Sequence, residues 1–297
     1  MKRLVLLIIF LLVGQSCFCS EEPDQNIVDF NLSGFGQKGE KSWEIKAKSA
    51  DIFSDVVSLS TIEAVVFGKD QNLTLTADKG SYNKSKKIMH VESNVVATTT
   101  DGARMTTDSL DWSEASRRMS SPDFVTVQKE SLVTTGTGLE ANPNLNTVEF
   151  KKDVTVQVTP VIEQGQANLD QKPTIITCSG PLEIDYEKKE AIFNNKVKVE
   201  RPDSNMYSDK MTVYFDIDQK KEAANAAQAP KSDSANLAGT QIKKIVAQGN
   251  VKIVQGQNIT YSDEAVYTAE DKKVVLTGRP KLIIYSTQEL KNAAFGN

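Results

Sequence analysis

Hydrophobic and polar residues alternate along most of this chain after its first twenty residues. Between residues 42 and 48, Trp43, Ile45 and Ala47 are separated by charged residues. The stretch 246–282 shows the same alternation three times, with a polar turn at residues 270–273. A period of two is typical of a β-strand that buries one face. The pattern therefore predicts a chain of strands joined by short turns.

A longer repeat is superimposed on this alternation. An aromatic residue or leucine, a charged turn and a short apolar run that ends in valine follow one another several times. Tyr82 and Trp112 are 30 positions apart, Trp112 and Leu139 are 27 apart, and Tyr186 and Tyr214 are 28 apart. One hairpin per repeat indicates a stacked β architecture. After the leader no long segment has helical periodicity, so we expect an all-β protein.

The first twenty residues have the composition of a secretory signal or a membrane anchor. Lys2 and Arg3 precede an unbroken apolar run over residues 4–13, and small residues follow. The run is shorter than the roughly 20 residues that span a bilayer. Three fates remain open, namely cleavage after Cys19, lipidation at Cys17, or retention as an apolar anchor helix. In each case the chain after Glu21 is expected outside the cytoplasm.

Two polar segments interrupt the repeat. Residues 161–172 lie between Pro160 and Pro173 and are predicted to be a linker. Residues 218–239 are rich in Ala, Asn, Gln, Ser and Lys and are predicted to be a flexible surface insertion, with a short Ala-rich helix over 221–229 as the alternative. The predicted organisation is a leader (1–20), β-modules at 21–160 and 173–286, and a tail (287–297).

Composition removes most familiar chemistry. The formal net charge is −4, and −6 without Lys2 and Arg3, which makes nucleic acid an unfavourable partner. His90 is the only histidine, and Cys178 is the only cysteine after the leader. The sequence shows no recognisable Ser-His-Asp set and no Cys/His zinc spacing. We therefore expect no enzyme, no cofactor and no metal site, a packed Cys178 and no role for His90.

Each half of the chain contains a series of spaced motifs. Those of the first half are Trp43-x-Ile-x-Ala, Leu75-x-Ala-x-x-Gly80-x-Tyr82, Asn94-Val95, Asp101-Gly102-x-x-x-Thr106-Thr107-x-x-Leu110 and Gly136-x-Gly138-Leu139-Glu140-Ala141. In this order they resemble the periplasmic LptC component of lipopolysaccharide export. Those of the second half are Ile245-Val246-Ala247-x-Gly249-Asn250-Val251-x-Ile253, Ala265-x-Tyr267 and Val274-x-Leu276-x-Gly278-x-Pro280. They are similar to the LptA/OstA module.

The resemblance implies an elongated antiparallel β-jellyroll of two stacked modules, whose facing sheets hold lipid acyl chains. It implies a non-enzymatic periplasmic bridge that passes lipopolysaccharide or a related glycolipid from an inner-membrane ABC transporter toward the outer membrane. Modules of the family join edge strand to edge strand, so LptA-like or LptD-like jellyrolls are the implied protein partners. The order of the two halves runs outward from the inner membrane, where the N-terminal segment would tether the chain.

The alternation also predicts which side chains line a groove between the sheets. Each apolar residue there is by itself more often ordinary core than a lipid contact. The candidates are Phe30, Leu32, Trp43, Ile45, Leu59, Phe67, Leu73, Leu75, Ile88, Leu110, Phe124, Leu139, Ile176, Ile184, Phe193, Val213, Phe215, Ile253, Ile259 and Leu276.

Residues 29–33 and 281–286 are predicted to be the two edges at which partner strands could add. Two competing functions remain at this point. One is a structural scaffold or adhesin with a solid core and no lipid site. The other is a carbohydrate-binding jellyroll, which would present aromatic residues with polar neighbours on an exposed face.

Overall fold

The structure, a computed structural model, describes residues 22–36, 39–68, 72–113, 115–142, 147–159, 172–217, 236–237, 240–271 and 273–284. The predicted leader and tail, most of the linker and nearly all of the 218–239 insertion lie outside these ranges. In chain order the strands are β1 (Gln25–Phe35), β2 (Lys41–Ile52), β3 (Val56–Phe67), β4 (Asn72–Asn83), β5 (Ile88–Thr99), β6 (Arg104–Ser113), β7 (Arg118–Lys129), β8 (Leu132–Ala141), β9 (Thr147–Val158), β10 (Thr174–Cys178), β11 (Leu182–Asp185), β12 (Glu190–Glu200), β13 (Asn205–Ile217), β14 (Asn236–Leu237), β15 (Thr240–Gln255), β16 (Asn258–Thr268), β17 (Lys273–Thr277) and β18 (Lys281–Ile283).

The strands form one antiparallel ladder in which each long strand pairs with the next one along the chain. The pairing runs without a gap from β1 to β9. It then passes through β10 and β11 to β12, β13, β15 and β16. The described residues contain strands and no helix. The prediction of an all-β protein built from repeated hairpins is confirmed, and the topology is that of an elongated β-jellyroll.

Two rungs of the ladder are strands broken in the middle. β10 and β11 both pair with β9 on one side and β12 on the other, and they are separated by residues 179–181. β17 and β18 both pair with β16 and are separated by residues 278–280. The stretch 246–282 thus forms the three predicted strands, the third of them interrupted. Proline cannot donate to a ladder, so Pro181 and Pro280 both lie where the pairing stops.

The charged turns close hairpins by a common device. The side chain of Asn83 accepts a hydrogen bond from the backbone N–H of Lys86 (2.8 Å), and that of Asp185 accepts one from the N–H of Lys188 (2.9 Å). Four residues after each of these, Lys87 and Lys189 have φ of 53° and 57°. Short polar side chains that bond the backbone ahead of them favour such turns.

Most strands contain a β-bulge near their middle. The bulges of neighbouring strands form a line across the sheet, and we call this line the crease. Bulge residues include Thr61, Asn94, Asp153 and Asn250, with φ between 48° and 54°. A bulge adds a residue to one strand, bends that strand and increases its twist. The inward residues on the two sides of the crease are therefore three or four positions apart instead of two.

The crease divides the ladder into two arms, and their apolar faces cover one another. Val125, Phe150 and Val154 are 0%, 1% and 1% exposed, although the described residues include no helix that could cover them. Phe150 and Val154 lie on opposite sides of the crease and belong to the same buried cluster. The ladder must therefore bend at the crease so that the two arms face each other across an apolar interior.

This interior continues from the first half of the chain into the second. One buried cluster contains Phe150 of β9 together with Leu182 of β11 and Phe193 of β12. Leu182 is in register with Phe150 on one side and with Phe193 on the other. The strands before and after residues 160–171 thus belong to two halves that share one core.

Candidate functional site

The apolar interior between the two arms, called the slot here, is formed by alternate side chains of every long strand. Cross-strand register assigns each side chain to the inward or the outward face, starting from buried residues such as Val91 and Phe150. All but four of the predicted groove residues share the inward face: Phe30, Leu32, Trp43, Ile45, Leu59, Leu73, Leu75, Leu110, Leu139, Ile176, Ile184, Phe193, Val213, Phe215, Ile253 and Leu276.

For the other four, the prediction of an inward side chain is wrong. Phe67 pairs with Asn72, Ile88 with Asn83 and Ser113, Phe124 with Thr137, and Ile259 with Val254, all on the outward face. Phe124 is 56% exposed.

The crease explains the wrong predictions for Phe67 and Ile259. For Phe124 and Ile88, the prediction chose the larger or the earlier of two adjacent apolar residues. Strict alternation from Leu59 leads to Phe67, whereas the actual step across the crease is from Leu59 to Ile62. Ile259 fails in the same way, because the step from Ser262 to Ala265 is three residues. In the other two cases, Val125 and Met89 face inward in place of their larger or earlier neighbours, Phe124 and Ile88.

Sequence reasoning also missed the most deeply buried positions. Among the large side chains under 2% exposed are valines that follow the crease directly, at positions 95, 154, 197 and 251. Each comes immediately after an Asn, Asp or Lys with positive φ. In the sequence, this pair of a polar residue and a valine ends each apolar run. The pair could therefore have identified the most deeply buried positions of the slot.

Burial decreases from the crease toward the ends of the strands. Val154 and Val156 are 1% and 3% exposed, while Val158 at the end of β9 is half-buried. On β7, Val125 is fully buried and Val127 is half-buried. The inward side chains are therefore fully covered at the crease and partly accessible to solvent where the strands end.

No charged side chain is buried in the slot among the described residues. Among the described residues, the buried polar side chains are all Ser or Thr. Thr107 and Ser121 hydrogen-bond each other (2.9 Å), and Ser208 Oγ is buried without a partner in the described part of the chain. Burial of an isolated charge is far more costly than burial of a hydroxyl, so this interior favours hydrocarbon over polar ligands.

The described part of the chain contains one cysteine and one histidine, Cys178 and His90. Burial raises the pKa of the Cys178 thiol, which is 5% exposed and packed in the core as predicted. His90 faces outward, with Nδ1 2.7 Å from Asp111 Oδ1. Within the described ranges no group of three or more His, Cys, Asp or Glu side chains could hold a metal ion.

A depression of about 670 Å³ lies at the crease of the first strands. Its lining includes the charged residues Asp29, Lys46, Lys48, Glu63 and Asp78. Charges of both signs are mixed along it, and Ile62 and Ala77 beneath it are buried. This depression is a polar feature distinct from the slot.

No helix in the described part of the chain is long and apolar enough to cross a membrane.

Comparison with known proteins gives two family matches, one for each half. Residues 5–159, more than half of the chain, match the family described as lipopolysaccharide-assembly, LptC-related. Residues 178–295 match the family described as LptA/(LptD N-terminal domain) LPS transport protein. No curated protein matches the chain.

Among solved structures, one match is LptH from Pseudomonas aeruginosa, described as the LptA homologous periplasmic component of the conserved lipopolysaccharide transport device. The two chains are 9% identical, with a TM-score of 0.22, and the match covers 73% of this chain and 98% of that one. A TM-score this low supports no structural argument. The first family match ends just after β9 and the second begins at the last residue of β10. The chain belongs to the LptC-related family of lipopolysaccharide-assembly proteins.

Proposed function

We propose that this protein is a non-enzymatic periplasmic bridge that carries lipopolysaccharide from an inner-membrane ABC transporter toward the outer membrane. The acyl chains lie in the slot, and the sugars remain outside it. The observation that supports this proposal is the apolar interior that runs along the ladder with no buried charge in the described residues, buried at the crease and half-exposed at the strand ends. Each buried methylene contributes roughly 0.8 kcal/mol, so an apolar slot can hold several acyl chains.

The direction of transfer follows from the order of the halves. The half that matches LptC-related proteins comes first, next to the N-terminal segment that would tether the chain to the inner membrane. The half that matches LptA and the LptD N-terminal domain follows in the same ladder. A single chain would then supply two successive parts of the bridge, with no dissociable interface between them.

The two ends of the ladder would receive the partner proteins. In the described part of the chain, β1 pairs only with β2, and β17 and β18 pair only with β16. Exposed apolar side chains concentrate there, with Val28 and Phe35 at 67% and 64% on β1, and Leu282 at 60% on β18. An unpaired edge with exposed apolar side chains favours addition of another strand. An LptA-like or LptD-like jellyroll is the proposed partner.

The competing function is an envelope scaffold whose interior is simply packed. The buried hydrophobic clusters at the crease are equally consistent with that function. The half-exposed inward residues at the strand ends favour the carrier, because a solid core would be covered there as well.

Photo-crosslinking in cells tests the proposal. A photoreactive residue at Leu75 or Phe193, both inward, is expected to give an adduct with lipopolysaccharide. The matched controls are the adjacent outward positions Thr74 and Ile192, which are expected to give none. Absence of an adduct at both inward positions, or equal adducts at inward and outward positions, would contradict a lipid-filled slot.

A further inference from the structure

The outward face of the second half carries a row of alternating lysines and tyrosines. The row, called the lysine–tyrosine strip here, crosses five strands that are neighbours in the ladder. Cross-strand register aligns its members in the order Lys198, Tyr207, Lys252, Tyr261 and Lys281. The corresponding row of the middle strands consists of threonines, so the change to Lys and Tyr is specific to this end of the molecule.

The side chains of the strip are close enough to restrict one another's conformations. The Nζ atoms of Lys198 and Lys252 lie 6.0 and 5.7 Å from the centre of the Tyr207 ring. Neighbouring strands are about 4.8 Å apart, so successive lysines of the strip project from points about 10 Å apart. The strip therefore presents fixed positive charges separated by aromatic rings.

Most of this charge is free for a ligand. Lys198 forms a salt bridge with Glu200. Lys252 and Lys281 form no salt bridge with any residue that the structure describes. Asp209 and Asp263 each lie two residues along the chain from a tyrosine of the strip, and Asp209 accepts a hydrogen bond from Asn250 (2.8 Å).

We propose that the lysine–tyrosine strip binds a saccharide that carries two or more phosphate or carboxylate groups. Lysines of the strip bind the anionic groups, and the partly exposed rings of Tyr207 and Tyr261 pack against the sugar between them. Alternation of cation and ring matches a ligand in which anionic groups alternate with sugar rings. Because the strip is on the opposite face of the sheet from the slot, this binding does not depend on acyl chains in the slot.

The strip fits a discrete saccharide better than a membrane surface. It is one residue wide, and it is flanked by the carboxylates of Glu200, Asp209 and Asp263. An anionic bilayer would meet these carboxylates together with the lysines, whereas a narrow ligand can contact the lysines alone.

Calorimetric titration of the full chain tests the proposal, with a disaccharide that carries one phosphate on each ring. Wild type should bind it saturably, more weakly at higher ionic strength, and more tightly than the same disaccharide without phosphates. The double variant Lys252→Gln/Lys281→Gln should bind about tenfold more weakly or worse. The matched control, Lys48→Gln/Lys79→Gln, removes the same charge from the outward face of the first half and should bind like wild type.

Tyr261→Leu, which keeps every charge, should also weaken binding of the phosphorylated disaccharide. The proposal is overturned if wild type does not bind it, or if both lysine double variants lose affinity equally. It is also overturned if inorganic pyrophosphate binds as tightly as the phosphorylated disaccharide, which would indicate a site for free phosphate. Strip-dependent binding to phosphatidylglycerol vesicles without saccharide binding would assign the strip to membranes instead.

Discussion

At the scale of single residues, the crease depends on side chains that tolerate a left-handed backbone. Asn94, Asp153 and Asn250 have φ of 53°, 54° and 48°, a region in which Asn and Asp are several-fold enriched. A valine follows each of them and is 1% exposed. The polar residue thus bends the strand, and the next side chain forms the floor of the slot.

Phe150 and Phe124 test this assignment of faces. Phe150→Ala should lower the free energy of unfolding by about 3–5 kcal/mol, because the side chain is 1% exposed and leaves a cavity. Phe124→Ala should cost about 0.5 kcal/mol or less, because that side chain is on the outward face. Urea unfolding monitored by circular dichroism measures both. Similar losses for the two variants would mean that the register is wrong.

A pH dependence follows from the carboxylate of Asp216. Its pKa is lowered by hydrogen bonds from Lys189 (2.8 Å) and Lys243. A lowered folded-state pKa stabilises the fold above the unfolded pKa, and this contribution is lost as the pH falls through the folded pKa. Asp216→Asn should therefore lower Tm at pH 7, and the difference from wild type should shrink as the pH falls below the unfolded pKa of Asp, about 3.9.

Thermal unfolding of the two proteins over this pH range measures the effect. Glu44 and Asp185 also have lowered pKa values, through hydrogen bonds from Asn31 and Lys41 and from Lys188. They should lower the Tm of both proteins together in acid. A difference between wild type and variant that persisted in acid would contradict the assignment.

At the scale of the strands, alternation and turn residues were sufficient to predict the hairpins and their order. Alternation alone does not predict the crease, because a bulge shifts the register; the sequence marks several of the bulges only by a polar residue followed by valine. Strict alternation puts the candidates Phe67 and Ile259 on the wrong face for that reason. Burial at the strand ends was also beyond the sequence, since it depends on how far the arms separate.

The threonine content of the middle strands has a structural explanation at this scale. Thr106, Thr126, Thr135, Thr155 and Thr177 are in register on successive rungs of the outward face. β-Branched side chains fit a pleated, half-buried surface, and threonine adds a hydroxyl that water can reach. This row of threonines therefore packs well on the outward face of the sheet and keeps that face polar.

Gly180 tests the broken strand between β10 and β11. Its φ is 98°, and a Cβ atom there would collide with the carbonyl oxygen of Lys151. Gly180→Ala should therefore destabilise the fold by about 2 kcal/mol or more. Gly256→Ala is the control, since its φ is 58° with nothing within 4 Å of the added atom, and it should cost about 1 kcal/mol. Equal effects in urea unfolding would contradict a close contact at the break.

At the scale of the whole molecule, the continuity of the ladder is the property that matters for transport. The cluster around Phe150, Leu182 and Phe193 crosses the boundary between the two family matches without a polar interruption. A glycolipid that entered the first half would meet the same apolar lining in the second. The stability of the fold and the passage of the glycolipid would then both depend on one shared core.

The most direct test of the slot uses the two tryptophans of the chain. Trp43 and Trp112 are the only tryptophans, and both are half-buried on the inward face of the first half. A fatty acid with a nitroxide on its acyl chain should quench their fluorescence saturably. A reporter on the outward face, Thr74→Trp in a Trp43→Phe/Trp112→Phe background, should not be quenched. Quenching of the inward pair alone is the predicted result, and no quenching, or equal quenching of both reporters, would contradict an apolar slot that admits hydrocarbon chains.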